Sequence, residues 1–290
     1  MLRIALPNKG RLADDTRELF ADAGLEVRGR GERALTASLG GEFEAIFVRA
    51  QDVAEFVADG AADAGVTGYD LVCESGRALD TVLDLEFGRC RLAVAAREDG
   101  ARSLAELPAG VRVATVFPRI TRDFFARAGH MVDVVPVSGA AEVAPHLGIA
   151  DVIVDLVSTG STLKVNGLRE VATVLESSAR LVVADGALRA DPSAGGKRQA
   201  LDELSTALAS VLRARGKRYL MANVPRDRLT DVKAVLPGLN GPTVVDIMNG
   251  GMFVAVHAVV PAETIYRTIR ALKALGGEGI LVTRIERLMP

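Results

Sequence analysis

The chain is predicted to fold as two α/β lobes followed by a smaller ferredoxin-like domain. Three observations carry that expectation. Through the first two thirds, a short apolar strand, a polar loop and an amphipathic helix recur in that order, the pattern of parallel sheets covered by helices. Two apolar segments, CRLAVAAR (90–97) and RLVVAD (180–185), bracket the middle block and read as strands crossing between lobes. From KRYLMANV (217–224) onward the rhythm changes to β-α-β-β-α-β, the order of a ferredoxin-like unit. The expected boundaries are 1–93 with 185–210 for the first lobe, 94–184 for the second, and 211–290 for the terminal domain.

The elements follow in order. LRIAL leads through PNKGR into a helix with Leu12, Leu19, Phe20 and Ala23 on one face, stopped by Gly24. EAIFV leads through RAQD into VAEFVADG, and ADAGV leads through TGYD into LVCESG. VRVATV leads through FPRIT into RDFFARAG, and DVIVD leads into the loop STGST at 158–162. DPSAGG (191–196) reads as a surface loop before a helix through ALDELSTALASVLRARG. In the terminal domain, Pro225 opens a helix, TVVDIM, NGG and MFVAVHAVV form a hairpin, and Pro261 opens a second helix with Ile265, Ile269, Leu272 and Leu275 inward. GILVTRIE closes the sheet.

Composition excludes several classes. With 49% apolar and 25% charged residues in 290, the chain has enough apolar material for real cores and is not a disordered sequence. A formal charge of −2 gives no basic surface for nucleic acid. No apolar run approaches the roughly 20 residues of a membrane span, and MLRIALPNKGR reads as a strand rather than a signal peptide. Cys73 and Cys90 are too few for a disulfide framework or a cysteine-rich zinc site, so a reducing cytoplasm is expected. His130, His146 and His257 have no ligand spacing, and neither G-x-S-x-G nor a G-x-G-x-x-G after the first strand is present. A metal held by protein side chains is not expected. Mg²⁺ carried by a polyphosphate is.

Ligands of parallel α/β sheets bind outside the carboxyl ends of the strands, so the loops there are the candidate site. Ser158, Thr159, Ser161 and Thr162 are hydroxyl donors around Gly160, which lets the backbone approach an anion. Asp151 and Asp155 share a strand face just before that loop, and carboxylates beside a phosphate cradle suit the hydroxyls of a sugar phosphate. An ordinary capped turn would use the same residues, and the residues alone leave both readings open. Lys9 and Arg11 flank Gly10 after the first strand and suggest a polyphosphate, though taken alone they fit a solvated basic turn slightly better. Arg49 follows the next strand, Thr67, Gly68 and Asp70 follow the third, and Arg119, Thr121 and Arg122 lie at a fourth strand end.

Taken together, LPNKGRL, GVTGYDLV, VATVFPRITRDFF and above all ADVIVDLVSTGSTLKVNGLREV resemble the ATP phosphoribosyltransferase family, in the right order along the whole chain. The trailing βαββαβ unit looks like the regulatory (ACT-like) domain of its long form. The resemblance implies a catalytic part folded like type II periplasmic binding proteins. It also implies condensation of ATP with phosphoribosyl pyrophosphate (PRPP) to N1-phosphoribosyl-ATP and pyrophosphate with Mg²⁺, inhibition by histidine, and dimers and hexamers. By matching motif, Ser158–Thr162 with Asp151 and Asp155 would hold PRPP. Lys9, Gly10, Arg11, Arg49, Thr67, Gly68 and Asp70 would face ATP and pyrophosphate, with Asp155, Lys9 and Arg49 catalytic. Asn223, Thr243 and Ala258 would contact histidine. Two alternatives are a prephenate dehydratase-like enzyme and a non-catalytic small-molecule binder. The first is disfavoured because no Glu-Ser-Arg-Pro occurs in GPTVVDIMNGG, the second because two phosphate sites in one cleft exceed what binding requires.

Overall fold

The computed structural model describes residues 1–27, 35–184, 186, 195–248 and 250–289. The expected DPSAGG loop and the first residue of the NGG turn lie outside the described residues, except for Gly195 and Gly196 at the loop's end. The chain divides into two compact units, Met1–Thr206 and Ala207–Pro290.

The first unit begins with β1 (Leu2–Pro7), α1 (Arg11–Asp22), β2 (Thr36–Gly40), β3 (Phe43–Val48), α2 (Val53–Ala58), β4 (Ala64–Gly68), α3 (Tyr69–Ser75) and β5 (Leu79–Asp84). It continues with β6 (Cys90–Arg97), β7 (Val111–Thr115), α4 (Pro118–Arg127), β8 (Val132–Pro136), β9 (Val152–Val157), α5 (Ser161–Val165), β10 (Leu168–Ser177) and β11 (Ala179–Ala184). The helix α6 (Gly195–Ala214) contains the division between units.

Two sheets result. The first has the order β2-β3-β1-β4-β11-β5, with β1 parallel to both β3 and β4. The second has the order β10-β6-β9-β7-β8, with β7 parallel to β8 and β9. Apolar side chains on both faces force this layering. Ala5, Val53, Val57 and Ala62 bury one side of the first sheet. In the second, Leu92, Val94, Val113, Phe125 and Val154 pack on one face and Ala93, Ala95, Ile153, Val157 and Leu163 on the other. The chain crosses between sheets just before Cys90 and again at Ser177–Ala179. This is the expected two-lobed architecture, with one shift of detail. The strand at 179–184 hydrogen-bonds within the first sheet, while the strand at 90–97 belongs wholly to the second.

The second unit contains β12 (Lys217–Pro225), α7 (Leu229–Val235), β13 (Thr243–Asp246), β14 (Phe253–Pro261), α8 (Ile265–Ala274) and β15 (Glu278–Arg284). Its antiparallel sheet has the order β13-β14-β12-β15, the ferredoxin-like arrangement. Leu220, Ala222, Val224, Val254, Val256, Val232 and Leu272 form its core, since alternate residues of β12 and β14 face the two helices.

Candidate active site

β1 and β3 lie side by side in register, with Pro7 opposite Val48. The Asn8 N–H donates to the Val48 carbonyl at 2.8 Å, so the loops carrying Lys9 and Arg49 leave the sheet together. Gly10 caps α1 at φ 79°, a left-handed conformation that a side chain would strain. Lys9, Arg11 and Arg49 are all solvent-exposed. Arg11 meets Asp15 only at 3.8 Å, a surface pair too weak to withdraw the guanidinium from an anion.

Thr67 does not line the cleft. It is fully buried, and its hydroxyl donates to the Ala50 carbonyl at 2.7 Å. Its place is behind the Arg49 turn, where it ties that turn to β4. Asp70, 5% exposed, accepts from the Ser177 hydroxyl at 2.5 Å, while its own N–H donates to the same oxygen at 3.0 Å. A Cβ at Gly68 would overlap the Asp70 carboxylate, which explains the glycine before α3.

Across the junction, β9 delivers the hydroxyl-rich loop. Ser158, Thr159, Ser161 and Thr162 are exposed, and Gly160 turns the chain at φ 77°, ψ 2° into α5. The Thr159 and Ser161 hydroxyls bond each other at 2.9 Å within the loop and stay exposed to solvent. Asp155 is half-buried, and its Oδ1 accepts the Leu156 N–H at 2.7 Å. Burial raises its carboxyl above the ordinary range, with a smaller push from Glu142 and an opposing pull from the Leu156 N–H.

Asp151 is a correction. It precedes β9, at the end opposite the loop, where Arg112 forks onto its carboxylate at 2.9 Å through Nη2 and donates its N–H at 2.9 Å. Those bonds hold the Asp151 carboxyl below the usual range. Residues four apart on a strand share a face but stand ~13 Å apart along it. The fourth strand end also differs from expectation. Thr121 is fully buried, 3.4 Å from the Thr115 hydroxyl, and the Arg119 N–H is taken by Glu74.

A cavity of about 360 Å³ joins the two lobes, lined among others by Arg11, Gly68, Asp70, Arg89, Leu156 and Ser158. It brings Arg11, Gly68 and Asp70 of the first group together with Ser158 of the second. Arg89 escaped the sequence reading because the segment crossing between the lobes brings it there, and Ser177, on the other crossing, because it acts through Asp70. The one local signal is Glu86, a non-glycine at φ 62° whose carbonyl accepts from Arg89 Nε at 3.2 Å. Among the described residues, no group of three or more His, Cys, Asp or Glu side chains could hold a metal. Cys73 and Cys90 are free thiols, both raised by burial. No described helix is long and apolar enough to cross a membrane.

In the second unit, Asn223 and Thr243 lie on the sheet face away from the helices, as the pairings Asn223–Ala255 and Thr243–His257 require. Ala258 is buried in the helix-covered core on the opposite face, so its side chain does not join them. On the open face, the Tyr219 hydroxyl and His257 Nδ1 are 2.8 Å apart.

Comparison with known proteins gives the family. The family model described as ATP phosphoribosyltransferase matches residues 49–210, and the one described as HisG, C-terminal domain, matches 214–287. The chain is 73% identical to the ATP phosphoribosyltransferase of Gemmatimonas aurantiaca over 295 aligned residues, covering 100% of both chains. It is 50% identical to that of Natronomonas pharaonis over 290 residues, again with both chains covered in full. A solved structure, the ATP phosphoribosyl transferase (HisG:HisZ) complex from Thermotoga maritima, superposes with a TM-score of 0.62 at 26% identity, covering 72% of this chain and 99% of that one. The two family matches and the full-length relatives place the chain in the ATP phosphoribosyltransferase family, in its long form with the C-terminal domain.

Proposed function

We propose that the crevice between the lobes is where this transferase joins its two substrates. PRPP lies with its 5′-phosphate on Ser158–Thr162 and its ribose hydroxyls at Asp155, and ATP and the pyrophosphate meet Lys9, Arg11 and Arg49. The observation that carries this is the single cavity shared by Arg11, Asp70 and Ser158, which no one lobe could form. Exposed hydroxyls around a left-handed glycine are suited to a phosphate, and the paired β1 and β3 loops set cations at neighbouring strand ends.

The chemistry is a displacement at the anomeric carbon. Adenine N1 forms the new C–N bond as the C–O bond to pyrophosphate breaks, with positive charge developing on the ribose. No covalent nucleophile is required, so orientation and charge stabilisation supply the rate. Ionised Asp155 accepts from the ribose hydroxyls and faces the developing cation. Lys9 and Arg49 take up charge on the departing pyrophosphate, and Arg89 at the crevice wall adds a third cation. Mg²⁺, if bound with the substrates, would supply charge neutralisation on their phosphates and would need few protein ligands, consistent with no cluster of ligating side chains among the described residues. Gly68 and Asp70 form the wall facing Ser158, and Thr67 supports the Arg49 turn from behind.

The second unit is proposed to bind histidine on its open sheet face through Asn223 and Thr243 and so to restrain the enzyme. Dimers and hexamers are the expected assemblies. Such control requires histidine to prefer one arrangement of the assembly, and its strength equals that difference in affinity. Operation in the cytoplasm follows from the supply of ATP and PRPP there.

The test is steady-state formation of phosphoribosyl-ATP by Lys9→Ala and Asp155→Ala. Each is expected to lose at least about a hundredfold in kcat with its unfolding temperature kept, the scale of removing one transition-state charge contact. Near-normal turnover of Asp155→Ala would overturn the crevice reading, and of Lys9→Ala would remove that residue from the proposed mechanism.

A further inference from the structure

One carboxylate that the proposed mechanism does not use spans the junction between the lobes. Glu74 ends α3 in the first lobe, and α4 opens the second lobe's helix layer. No side chain from its own loop caps α4. Instead the Glu74 carboxylate accepts the Arg119 N–H at 2.9 Å on one oxygen and the Ile120 N–H at 3.0 Å on the other. The first N–H groups of a helix have no intrahelical partner, so a two-oxygen acceptor there is well matched. The Arg119 guanidinium then folds back over Gly76, where a Cβ would overlap it. Gly76 is also left-handed at φ 65°.

The same helix faces both the junction and the crevice. Asp70, at its start, lines the crevice cavity, while Leu71 and Cys73 pack on the second lobe's core. Beside them an open groove of about 770 Å³ runs along both helices, lined by Tyr69, Val72, Cys73, Arg119 and Ile120 among others. The polar clasp at Glu74 joins the two helices beside this groove.

We propose that Glu74 is a positioning residue for the transfer reaction. By holding the N-terminus of α4 across the junction it fixes the spacing of the lobes, and through α3 it sets Asp70 in the crevice wall. The proposal rests on the crevice being the substrate site. Without the clasp the lobes sample wider arrangements, only a fraction of which can hold both substrates. Apparent affinity falls by that fraction for each substrate alike, while the chemical step, once both are bound, is unchanged.

The test compares Glu74→Ala, Glu74→Gln and Gly76→Ala with the full-length wild type, by steady-state kinetics, thermal unfolding and small-angle X-ray scattering. Glu74→Ala is expected to raise the KM values for ATP and PRPP together by about tenfold, with kcat within about twofold, as when the competent arrangement falls to roughly a tenth of the population. Glu74→Gln keeps an acceptor for only one N–H and is expected to lie between. Gly76→Ala leaves the carboxylate intact but drives the Arg119 side chain away, and should show the same KM signature. Adding Arg119→Ala to it should move KM back towards wild type. A lower unfolding temperature with unchanged KM values would make Glu74 a helix cap only and overturn the proposal, as would a change confined to one substrate. Asp155→Ala is assayed alongside. If it is inactive while Glu74→Ala matches wild type, the clasp fails and the crevice stands. If Asp155→Ala is itself near normal, the crevice reading fails, and an unchanged radius of gyration in Glu74→Ala overturns the clasp separately.

Discussion

Gly160→Ala is the perturbation whose effect the structure constrains best. Gly160 sits at φ 77°, ψ 2°, and a Cβ there would meet only a Val157 methyl at 3.9 Å. No clash confuses the result, so the cost is backbone strain alone, about 1–2 kcal/mol for an L-residue held in the left-handed region. The exposed loop can respond in two ways. If it keeps its shape, the whole strain falls on the folded state, and the unfolding temperature drops by about 2–8 °C for a unit of this size. If it relaxes, the phosphate-binding shape becomes a minor one, reduced by a factor of about 5 to 30. Since the loop leads only into a short α5, relaxation is the expected outcome. The assay is initial-rate kinetics with PRPP varied at saturating ATP, then the reverse. KM for PRPP is expected to rise about 5- to 30-fold, with KM for ATP within twofold. An unchanged PRPP KM together with an unchanged unfolding temperature would refute the reasoning, because the strain would then appear nowhere.

Three further outcomes are expected. Burial raises the Asp155 carboxyl, so activity that needs its ionised form should fall with decreasing pH at a point above the ordinary carboxylate value of about 3.9, and Asp155→Asn should lack that acid limb in its residual activity. The sign for stability is opposite: a raised native pKa contributes stability below the unfolded value that is lost as pH rises through the folded one, so Asp155→Asn should unfold at a higher temperature at neutral pH. Asp151→Asn should keep kcat and the PRPP KM within about threefold, an effect the size of a minor structural adjustment, because its carboxylate serves Arg112 at the far end of β9. Its loss should show instead as weaker stability above the unfolded carboxylate pKa, the window in which a lowered native pKa stabilises. Asn223→Ala in the full chain should raise the histidine concentration needed for half-inhibition by about tenfold, the scale of a lost buried polar contact, without changing uninhibited turnover.

Much of this was legible in the sequence, for identifiable reasons. The strand-loop-helix repeat and the terminal βαββαβ order depend on local periodicity, and both are present. However, Pro225 and Pro261 end β12 and β14 instead of opening helices, and α7 and α8 begin four residues later at Leu229 and Ile265. Gly10 and Gly160 were readable as turn glycines because a positive φ selects glycine strongly. The misreadings share one origin. Period-two alternation tells which face of a strand a residue occupies, not how far along it lies, and so Asp151 was grouped with Asp155. Thr67 follows a strand like its neighbours, but only the packed structure shows its hydroxyl turned back to Ala50. Ala258 alternates with His257, and one step along a strand exchanges the open face for the core. Ser177 and Glu74 could not be found locally at all. Each acts between the lobes, across separations of up to 107 residues.

The most direct measurement is a crystal structure of the enzyme with PRPP and Mg²⁺ bound. The account requires the 5′-phosphate to lie against the hydroxyls and N–H groups of Ser158–Thr162, with the ribose hydroxyls at Asp155 and the pyrophosphate turned towards Lys9, Arg11 and Arg49. A 5′-phosphate seated on Lys9 and Arg11 instead, or a PRPP molecule outside the crevice between the lobes, would contradict it.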